Sequence, residues 1–321
     1  GQLRKIKYWQ NKPVSKLFKN EIDEEKVINI FLEKFIRSCE KTHKADVPVG
    51  IFLSGGIDSS LVYKAYKYLG IDIQTFTVGF KDSEYDESRK AKKLVSNIRE
   101  YNEIIIDSGD VFNAIEYISS LIDEPHGDPG FINAFLLTKF ASEKIKVGLT
   151  GDGADELFGG YATFHAQSIY RKIKYVPAFG FKLLNNFVNL FPESDGYMNN
   201  IFKLKRFLNG ADKKGLLSYI NWLSCENNVF LSKLFSHEKM SNYILSNQLD
   251  FDVLRKCDLD DKEIIKDDFD ALLYFYQKNF LPGFVCQHTD RASMMNSLEV
   301  RSPFLNNEII EFANSLSKIY K

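Results

Sequence analysis

Short apolar runs alternate with amphipathic stretches along the first half of the chain. The apolar runs predict four buried strands, at 47–53, 73–80, 102–107 and 145–150. Apolar positions at helical spacing predict five helices, at 22–40, 58–69, 87–98, 110–122 and 129–144. Because strands that alternate with helices of this length pair as parallel βαβ units, the pattern predicts an α/β core with a parallel sheet.

The pattern changes near residue 160 and is helical almost throughout after it. Amphipathic stretches such as 269–280 alternate there with short polar joints. We therefore predict one α/β core at about 40–160 and a mainly helical part at 161–321, both within a domain that spans 21–321. Residues 1–20 are a polar lead-in. Four phenylalanines of the second part are expected in its core: Phe179, Phe181, Phe187 and Phe191.

Charge and composition exclude several classes of protein. The 42 Lys and Arg residues balance 43 Asp and Glu residues, so bulk charge does not indicate a nucleic-acid partner. No apolar run is long enough for a membrane-spanning helix, and the basic first twenty residues lack the apolar core of a signal peptide. Four scattered cysteines without a C-x-x-C pair favour a reducing, cytoplasmic location.

A loop of glycines and serines, SGGIDSS at 54–60, follows the first predicted strand. Glycines let the backbone turn sharply and approach a ligand, and the N–H groups at the start of the next helix bind anions. No lysine stands where a Walker A loop requires one. Asp58 would repel phosphate unless a cation lay between them, so the loop predicts pyrophosphate bound with Mg²⁺. The alternative is that Asp58 and Ser59 only cap the helix.

A second polar loop, TGDGADE at 150–156, follows the fourth predicted strand and carries three carboxylates. Ligands of open α/β sheets collect at the carboxyl ends of strands, so both loops are expected to face one crevice. Carboxylates at that place bind Mg²⁺ or act as a general base. The alternative is an ordinary solvated acidic turn.

Three motifs in this order resemble the synthetase domain of the glutamine-dependent asparagine synthetases, which belong to the ATP pyrophosphatases. They are SGGIDSS at 54–60, GDGADELFGGY at 151–161 and DRASMMNSLEVRSPFL at 290–305. The segments DVPVG at 46–50 and DEPHGDP at 123–129 are also similar to family segments. The resemblance runs from about Tyr8 to the C-terminus. It implies a Rossmann-like, adenine nucleotide alpha-hydrolase-like core with a helical C-terminal part.

The resemblance also implies a ligase reaction of asparagine biosynthesis, with ATP and Mg²⁺ as cofactors. Mg-ATP activates the side-chain carboxylate of aspartate as an acyl-adenylate, pyrophosphate leaves, and ammonia attacks to give asparagine and AMP. Asp58 and Asp155 are the implied metal ligands, and Asp152, at a position where many members carry Glu, is the implied catalytic residue. The implied ATP-binding positions are Leu53, Ser54, Gly55, Gly56, Ile57, Asp58, Ser59, Ser60, Val78, Gly79, Thr150 and Gly151.

The resemblance sets expectations about partners as well. The family has an N-terminal glutaminase whose first residue is a nucleophilic Cys; residues 1–20 resemble the linker that follows it. We therefore expect a glutaminase domain in the same parent chain, which supplies ammonia from glutamine. The family's Lys-containing loop does not occur before Lys321, so we expect either a fragment trimmed at both ends or a chain whose mobile tail is absent. We also expect that the protein can form a homodimer and that it binds neither nucleic acid nor a membrane.

Two other functions stay open at this point. One keeps the adenylation but changes the acyl group, as in relatives that form β-lactams, close lasso peptides or amidate sugars. The other is a non-catalytic nucleotide-binding scaffold, although the intact Ser54, Asp58 and Asp155 argue against it. For the charged residues of the third motif, buried ion pairing that orders the helical part is slightly favoured over substrate contact: Asp290, Arg291, Glu299 and Arg301.

Overall fold

The computed structural model describes most of the chain. The described residues are 4–6, 8–11, 23–81, 86–95, 97–123, 126–173, 175–192, 199–211, 213, 216–224, 228–246 and 268–321. Most of the predicted linker at 1–20 therefore lies outside the described residues. The chain groups into two compact units, which we call unit 1 (Gly1–Phe158 with Phe280–Lys321) and unit 2 (Gly159–Asn279).

Unit 1 is built from strands and helices that alternate along the chain. Its strands are β1 (Val49–Phe52), β2 (Gln74–Phe80), β3 (Tyr101–Ile106), β4 (Val147–Leu149) and β5 (Glu299–Arg301). Its α-helices are α1 (Glu24–His43), α2 (Ile57–Tyr68), α3 (Ser88–Leu94), α4 (Ser108–Leu121), α5 (Gly130–Ser142), α6 (Ala154–Phe158), α14 (Gln287–Met294) and α15 (Asn307–Ser315). The four predicted strands and the five predicted helices of the first half of the chain are confirmed.

The five strands form one parallel sheet in the order β3-β2-β1-β4-β5. This confirms the predicted Rossmann-like α/β fold class. β1 pairs with β2 through Phe52 and Phe76, and with β4 through Ile51 and Leu149. Since all strands run in the same direction, the loops after β1 and β4 leave the sheet side by side at its carboxyl edge.

Alternate residues of the central strands face opposite helical layers. Ile51 and Leu149 are fully buried in a cluster with residues of α1 and α2, while Phe52 packs with Phe76 and α5 on the other face. A strand that is buried on both faces has a continuous run of apolar residues. The sequence therefore identified these central strands. Each large side chain buried in these layers contributes about 2 kcal/mol.

The fifth strand was not predicted. It lies within 161–321, which the sequence indicates as mainly helical, yet it groups with unit 1 and pairs with β4 from Val147↔Glu299 to Leu149↔Arg301. A three-residue segment, Glu-Val-Arg, is too short for periodicity to identify, and pairing alone makes it a strand. The domain bounds drawn from sequence stay a prediction.

Unit 2 is helical in the residues described. Its α-helices are α7 (Ala162–Ile173), α8 (Ala178–Val188), α9 (Asn200–Ala211), α10 (Leu216–Leu223), α11 (Asn228–Lys233), α12 (Glu238–Leu245) and α13 (Asp268–Phe275). The helix predicted at 269–280 is α-helical as far as Phe275 and continues as a π-helix over Tyr276–Cys286. Trp222 packs against Phe207, to whose carbonyl its indole N–H donates at 3.0 Å.

The expectation for the four phenylalanines of α8 and its flank is wrong for three of them. Phe181 is 3% exposed and packs in a small core, but Phe179, Phe187 and Phe191 are 69%, 59% and 46% exposed. Periodicity identifies an apolar face without showing whether another element covers it. Within the described ranges, no helix combines the length and apolarity needed to cross a bilayer.

Candidate active site

The two motif loops meet at the carboxyl edge of the sheet, as the sequence predicts. A Cβ atom at Gly151 would lie 2.8 Å from Cβ of Asp58 and 3.0 Å from the backbone nitrogen of Ser59. The first distance is shorter than real Cβ atoms show and the second is tighter than most, so glycine lets the loop after β4 pass the first turn of α2 without a shift of the backbone. The parallel pairing of β1 with β4 produces this contact.

The 54–60 loop closes on itself through its serines. The hydroxyl oxygens of Ser54 and Ser59 lie 3.0 Å apart, and the N–H of Gly56 donates to Ser54 Oγ at 3.2 Å. Gly55 has a φ of +81°, which favours glycine. Gly56 is the N-cap of α2 and no side chain makes an N-cap hydrogen bond to this helix, while the Asp58 carboxylate accepts from its own backbone N–H. The interpretation of Asp58 and Ser59 as capping residues is therefore wrong.

Asp58 and Asp155 are carboxylates that the fold holds near each other. Burial and the charge of Asp155 raise the pKa of Asp58 to about 6. Burial also raises the pKa of Asp155. A pair of partly buried carboxylates with this mutual repulsion is an oxygen-rich donor set that suits a hard divalent cation such as Mg²⁺. The residues present therefore fit the expected metal, and the 150–156 loop is not an ordinary solvated turn.

The remaining positions with an expected role at ATP lie in or beside the ends of β1, β2 and β4. The side chain of Leu53 is 1% exposed in the core, so only its backbone faces the loop. Val78 and Gly79 are near the end of β2, and Gly79 is buried. Thr150 is buried, and its N–H donates to the carbonyl of Arg301 on β5 at 3.0 Å. The structure brings these positions to one edge of the sheet, and their contacts with a nucleotide stay a prediction.

Asp152 belongs to a cavity on the side of this loop that faces α14. The hydroxyl of Thr289 donates to Asp152 Oδ2 at 2.9 Å, and Ser302 Oγ donates to the backbone carbonyl of Asp152 at 2.6 Å. Burial raises the pKa of the Asp152 carboxyl, against the hydrogen bond from Thr289, which lowers it. A largely buried carboxylate with raised basicity, oriented by hydrogen bonds from Thr289 and Thr150, is suited to accept a proton.

The cavity has a volume of about 400 Å³. Its lining residues are Thr150, Asp152, Pro282, Cys286, Gln287, Thr289, Asp290, Val300, Ser302 and Leu305. The sequence did not identify four of these lining residues: Pro282, Cys286, Gln287 and Thr289. Gln287 and Thr289, for example, belong to no motif and reach the cavity only through the packing of α14. Burial raises the pKa of Cys286 to about 11, so its thiol stays protonated at neutral pH.

Replacement of Thr289 by valine is expected to raise the pKa of Asp152 further, because the carboxylate loses a hydrogen bond that favours its charged form. If Asp152 acts as a base, the acidic limb of the pH–rate profile should move to higher pH. Thr289→Ser keeps the donor and should leave the profile in place. A Thr289→Val profile that overlays the parent profile would contradict this role of the hydrogen bond.

Three charged residues of the third motif, Arg291, Glu299 and Arg301, form ion pairs, but these pairs are partly exposed and lie within unit 1, so they are not the buried pairs ordering the helical part that the sequence favours. Arg301 pairs with Glu299 at 2.6 Å and donates to the carbonyls of Thr42 and Lys44 at the C-terminal end of α1. Arg291 pairs with Asp123 at 2.8 Å. These contacts tie β5 and α14 to other parts of unit 1, while the neighbouring Asp290 lines the cavity.

Comparison with known proteins connects this geometry to a family. The sequence profile of the asparagine synthase family matches residues 31–321, which include both loops, the cavity and β5. The chain belongs to the asparagine synthase family. The resemblance inferred from the three motifs is thereby confirmed.

Relatives within and around the asparagine synthase family carry two kinds of name. The chain is 26% identical over 312 residues to an asparagine synthetase [glutamine-hydrolyzing] of Bacillus subtilis, covering 92% of this chain and 45% of that protein. It is 25% identical to the amidase chyE of Penicillium rubens, covering 96% of this chain and 49% of that protein. The chain thus spans about half the length of these relatives. A solved NH3-dependent NAD synthetase from Campylobacter jejuni is 17% identical, with a TM-score of 0.33 over 82% of this chain and 98% of that one.

Proposed function

We propose that this chain is the synthetase part of an ATP-dependent, amide-forming ligase. It activates a carboxylate as an acyl-adenylate with release of pyrophosphate, and ammonia then attacks to give an amide and AMP. The observation that carries the proposal is the contact between the two loops, in which Gly151 brings the acidic loop against the uncapped start of α2. The 54–60 loop and the first N–H groups of α2, which together we call the anion cradle, then lie beside the carboxylates of Asp58 and Asp155. The binding of a metal pyrophosphate requires both.

The first step depends on how the 54–60 loop holds the phosphates. The N–H groups at the start of α2 and the serine hydroxyls bind the pyrophosphate group and orient the α-phosphorus toward the incoming carboxylate. Asp58 and Asp155 would hold Mg²⁺, which neutralises the charge that develops on the departing pyrophosphate. The oxygen of the substrate carboxylate attacks the α-phosphorus, the bond to pyrophosphate breaks, and the acyl carbon becomes a good electrophile.

The second step is assigned to Asp152. Ammonia attacks the acyl carbon, AMP leaves, and the nitrogen must lose a proton to become the neutral amide. The Asp152 carboxylate accepts that proton, because burial raises its pKa and Thr289 holds one of its oxygens in place. Asp152 is shorter than the Glu of many relatives, and the cavity beside it has room for the acyl group.

Aspartate is the first candidate for the acyl substrate, since relatives of the chain include asparagine synthetases. A different carboxylate is the second candidate, favoured by the amidase-named relatives that match 96% of the chain at similar identity. The names glutamine-hydrolyzing and the greater length of those relatives support a glutaminase partner in the parent chain. A homodimer and a cytoplasmic location stay predictions.

Analysis of the nucleotide product tests the proposal. The chain is incubated with Mg-ATP, ammonium and ¹⁸O-labelled aspartate, and AMP, ADP and pyrophosphate are quantified. Adenylation transfers one ¹⁸O atom from the carboxylate to the phosphate of AMP, so labelled AMP is the expected result. ADP as the product would overturn the proposal. Labelled AMP from another carboxylate, with none from aspartate, would select the second candidate, and tight ATP binding without any product would favour a scaffold.

A further inference from the structure

Three metal-ligating side chains converge in unit 1, apart from the two acidic loops. They are His126 and Asp128, which precede α5, and His288, which lies on α14. Each offers one ligand atom, and these atoms all lie within 4.8 Å of one another. Residues more than 150 positions apart in the sequence thus meet at one place, since His288 Nδ1 lies 2.6 Å from Asp128 Oδ2.

The surroundings hold these side chains in fixed orientations. Asp128 Oδ1 accepts a hydrogen bond from the N–H of Gly130 at 2.9 Å, which leaves Oδ2 directed at His288. The ring of His126 packs edge-to-face on Phe131, with centroids 4.8 Å apart. Supporting contacts of this kind orient metal ligands in proteins and are as much part of a site as the ligands.

His126 carries an unsatisfied polar atom. Its Nε2 atom is shielded from solvent and has no hydrogen-bond partner. Buried ring nitrogens are nearly always paired, so an unpaired one indicates a missing ligand. The centroid of the His288 ring lies 6.0 Å away, and its plane is nearly perpendicular to that of His126. The unpaired nitrogen thus lies on a side chain that belongs to the same cluster as the His288–Asp128 pair.

We propose that His126, Asp128 and His288 bind a divalent transition metal ion of the Zn²⁺ type. Two imidazoles and one carboxylate are the ligand set of many zinc sites, which keep a fourth position for water. Imidazole nitrogen selects such ions over Mg²⁺, which prefers oxygen. On binding, the metal replaces the proton between His288 and Asp128, and that proton moves to the other ring nitrogen of His288. The hydrogen bond to His288, with that from the N–H of Gly130, lowers the pKa of Asp128 against the effect of burial, which agrees with an ionised carboxylate.

The metal would join the loop before α5 to α14. His288 stands between Gln287 and Thr289, which both line the cavity, and Thr289 donates to Asp152. The site therefore holds the segment of α14 that forms the cavity wall. It is distinct from the Asp58–Asp155 pair and does not rest on the proposed reaction.

A zinc titration of the whole chain tests the site directly. Zn²⁺ is titrated against a chromophoric chelator in excess Mg²⁺, which occupies oxygen-only sites. We expect one equivalent of Zn²⁺ per chain, with affinity reduced at least about tenfold in each of two variants, His126→Phe and His288→Asn. His126→Phe keeps an aromatic ring against Phe131, and circular dichroism verifies that both variants fold. The exposed His165 supplies the matched control, His165→Asn, which should bind as the parent does.

Three results would overturn the proposal. The first is a parent chain that takes up no Zn²⁺ in competition with the chelator. The second is binding that His126→Phe and His288→Asn leave unchanged. The third uses Co²⁺ in place of Zn²⁺: its visible absorption bands should disappear in Asp128→Asn, a variant that keeps the oxygen that accepts from Gly130, and bands that persist unchanged in this variant would overturn the proposal.

Discussion

Replacement of Asp58 by alanine is expected to abolish the Mg²⁺ dependence of ATP binding and to lower AMP formation at least about 100-fold. Asp58 is one of two partly buried carboxylates beside the uncapped start of α2, and its pKa of about 6 reflects burial and repulsion by Asp155. Without it, the cradle would hold pyrophosphate with only one acidic ligand for the cation. ATP affinity with and without Mg²⁺, measured by calorimetry, tests this independently of turnover.

The same variant should not be less stable than the parent. The pKa of Asp58 is raised in the folded chain, so the charged carboxylate lowers the free energy of unfolding above about pH 6. This destabilisation disappears as the pH falls toward 4, where the carboxyl is protonated. At pH 8 without divalent ions, Asp58→Ala should unfold at the same temperature as the parent or a higher one. The matched control is Asp72→Ala, which removes an exposed carboxylate paired with Lys67. Full activity of Asp58→Ala would contradict the metal role.

Replacement of Gly56 by valine is expected to weaken ATP binding at least tenfold, about 1.4 kcal/mol, while the chain folds normally. Gly56 has a φ of −71°, which any residue adopts, and a Cβ atom there would meet only Ser54 Oγ, at 3.3 Å. The added side chain therefore needs a shift of only a few tenths of an ångström from the Ser54 hydroxyl, but it occupies the space at the start of α2 that the pyrophosphate needs. ATP affinity and thermal unfolding, measured on the same sample, separate the two effects.

A closely matched control exists for this substitution. Gly109 lies in the first turn of α4, which also follows a strand of the sheet, and a Cβ atom there would meet Asp107 Oδ1 at 3.2 Å. Gly109→Val should leave ATP affinity unchanged, since the N-cap Asp107 already occupies the N–H groups of α4. Unchanged affinity in Gly56→Val would remove the cradle from the proposed mechanism.

The sequence predicts the part of this fold that depends on local pattern. The inner strands β1, β2 and β4 are largely buried on both faces, so they appear as apolar runs, and the glycine loops after β1 and β4 mark the places where the backbone turns. Parallel pairing then brings both loops to one edge, which makes Asp58 and Asp155 neighbours. Motif order was enough to indicate the asparagine synthase family.

The tertiary structure alone decided the rest, because those features depend on residues far apart in the chain. β5 is a strand only through its pairing with β4, and the exposure of Phe179 shows that an apolar helix face need not be covered. Thr289 meets Asp152, and His288 meets Asp128, across intervals that no periodicity spans. Local pattern determines which segments are helices and strands, whereas long-range packing determines which side chains share a cavity.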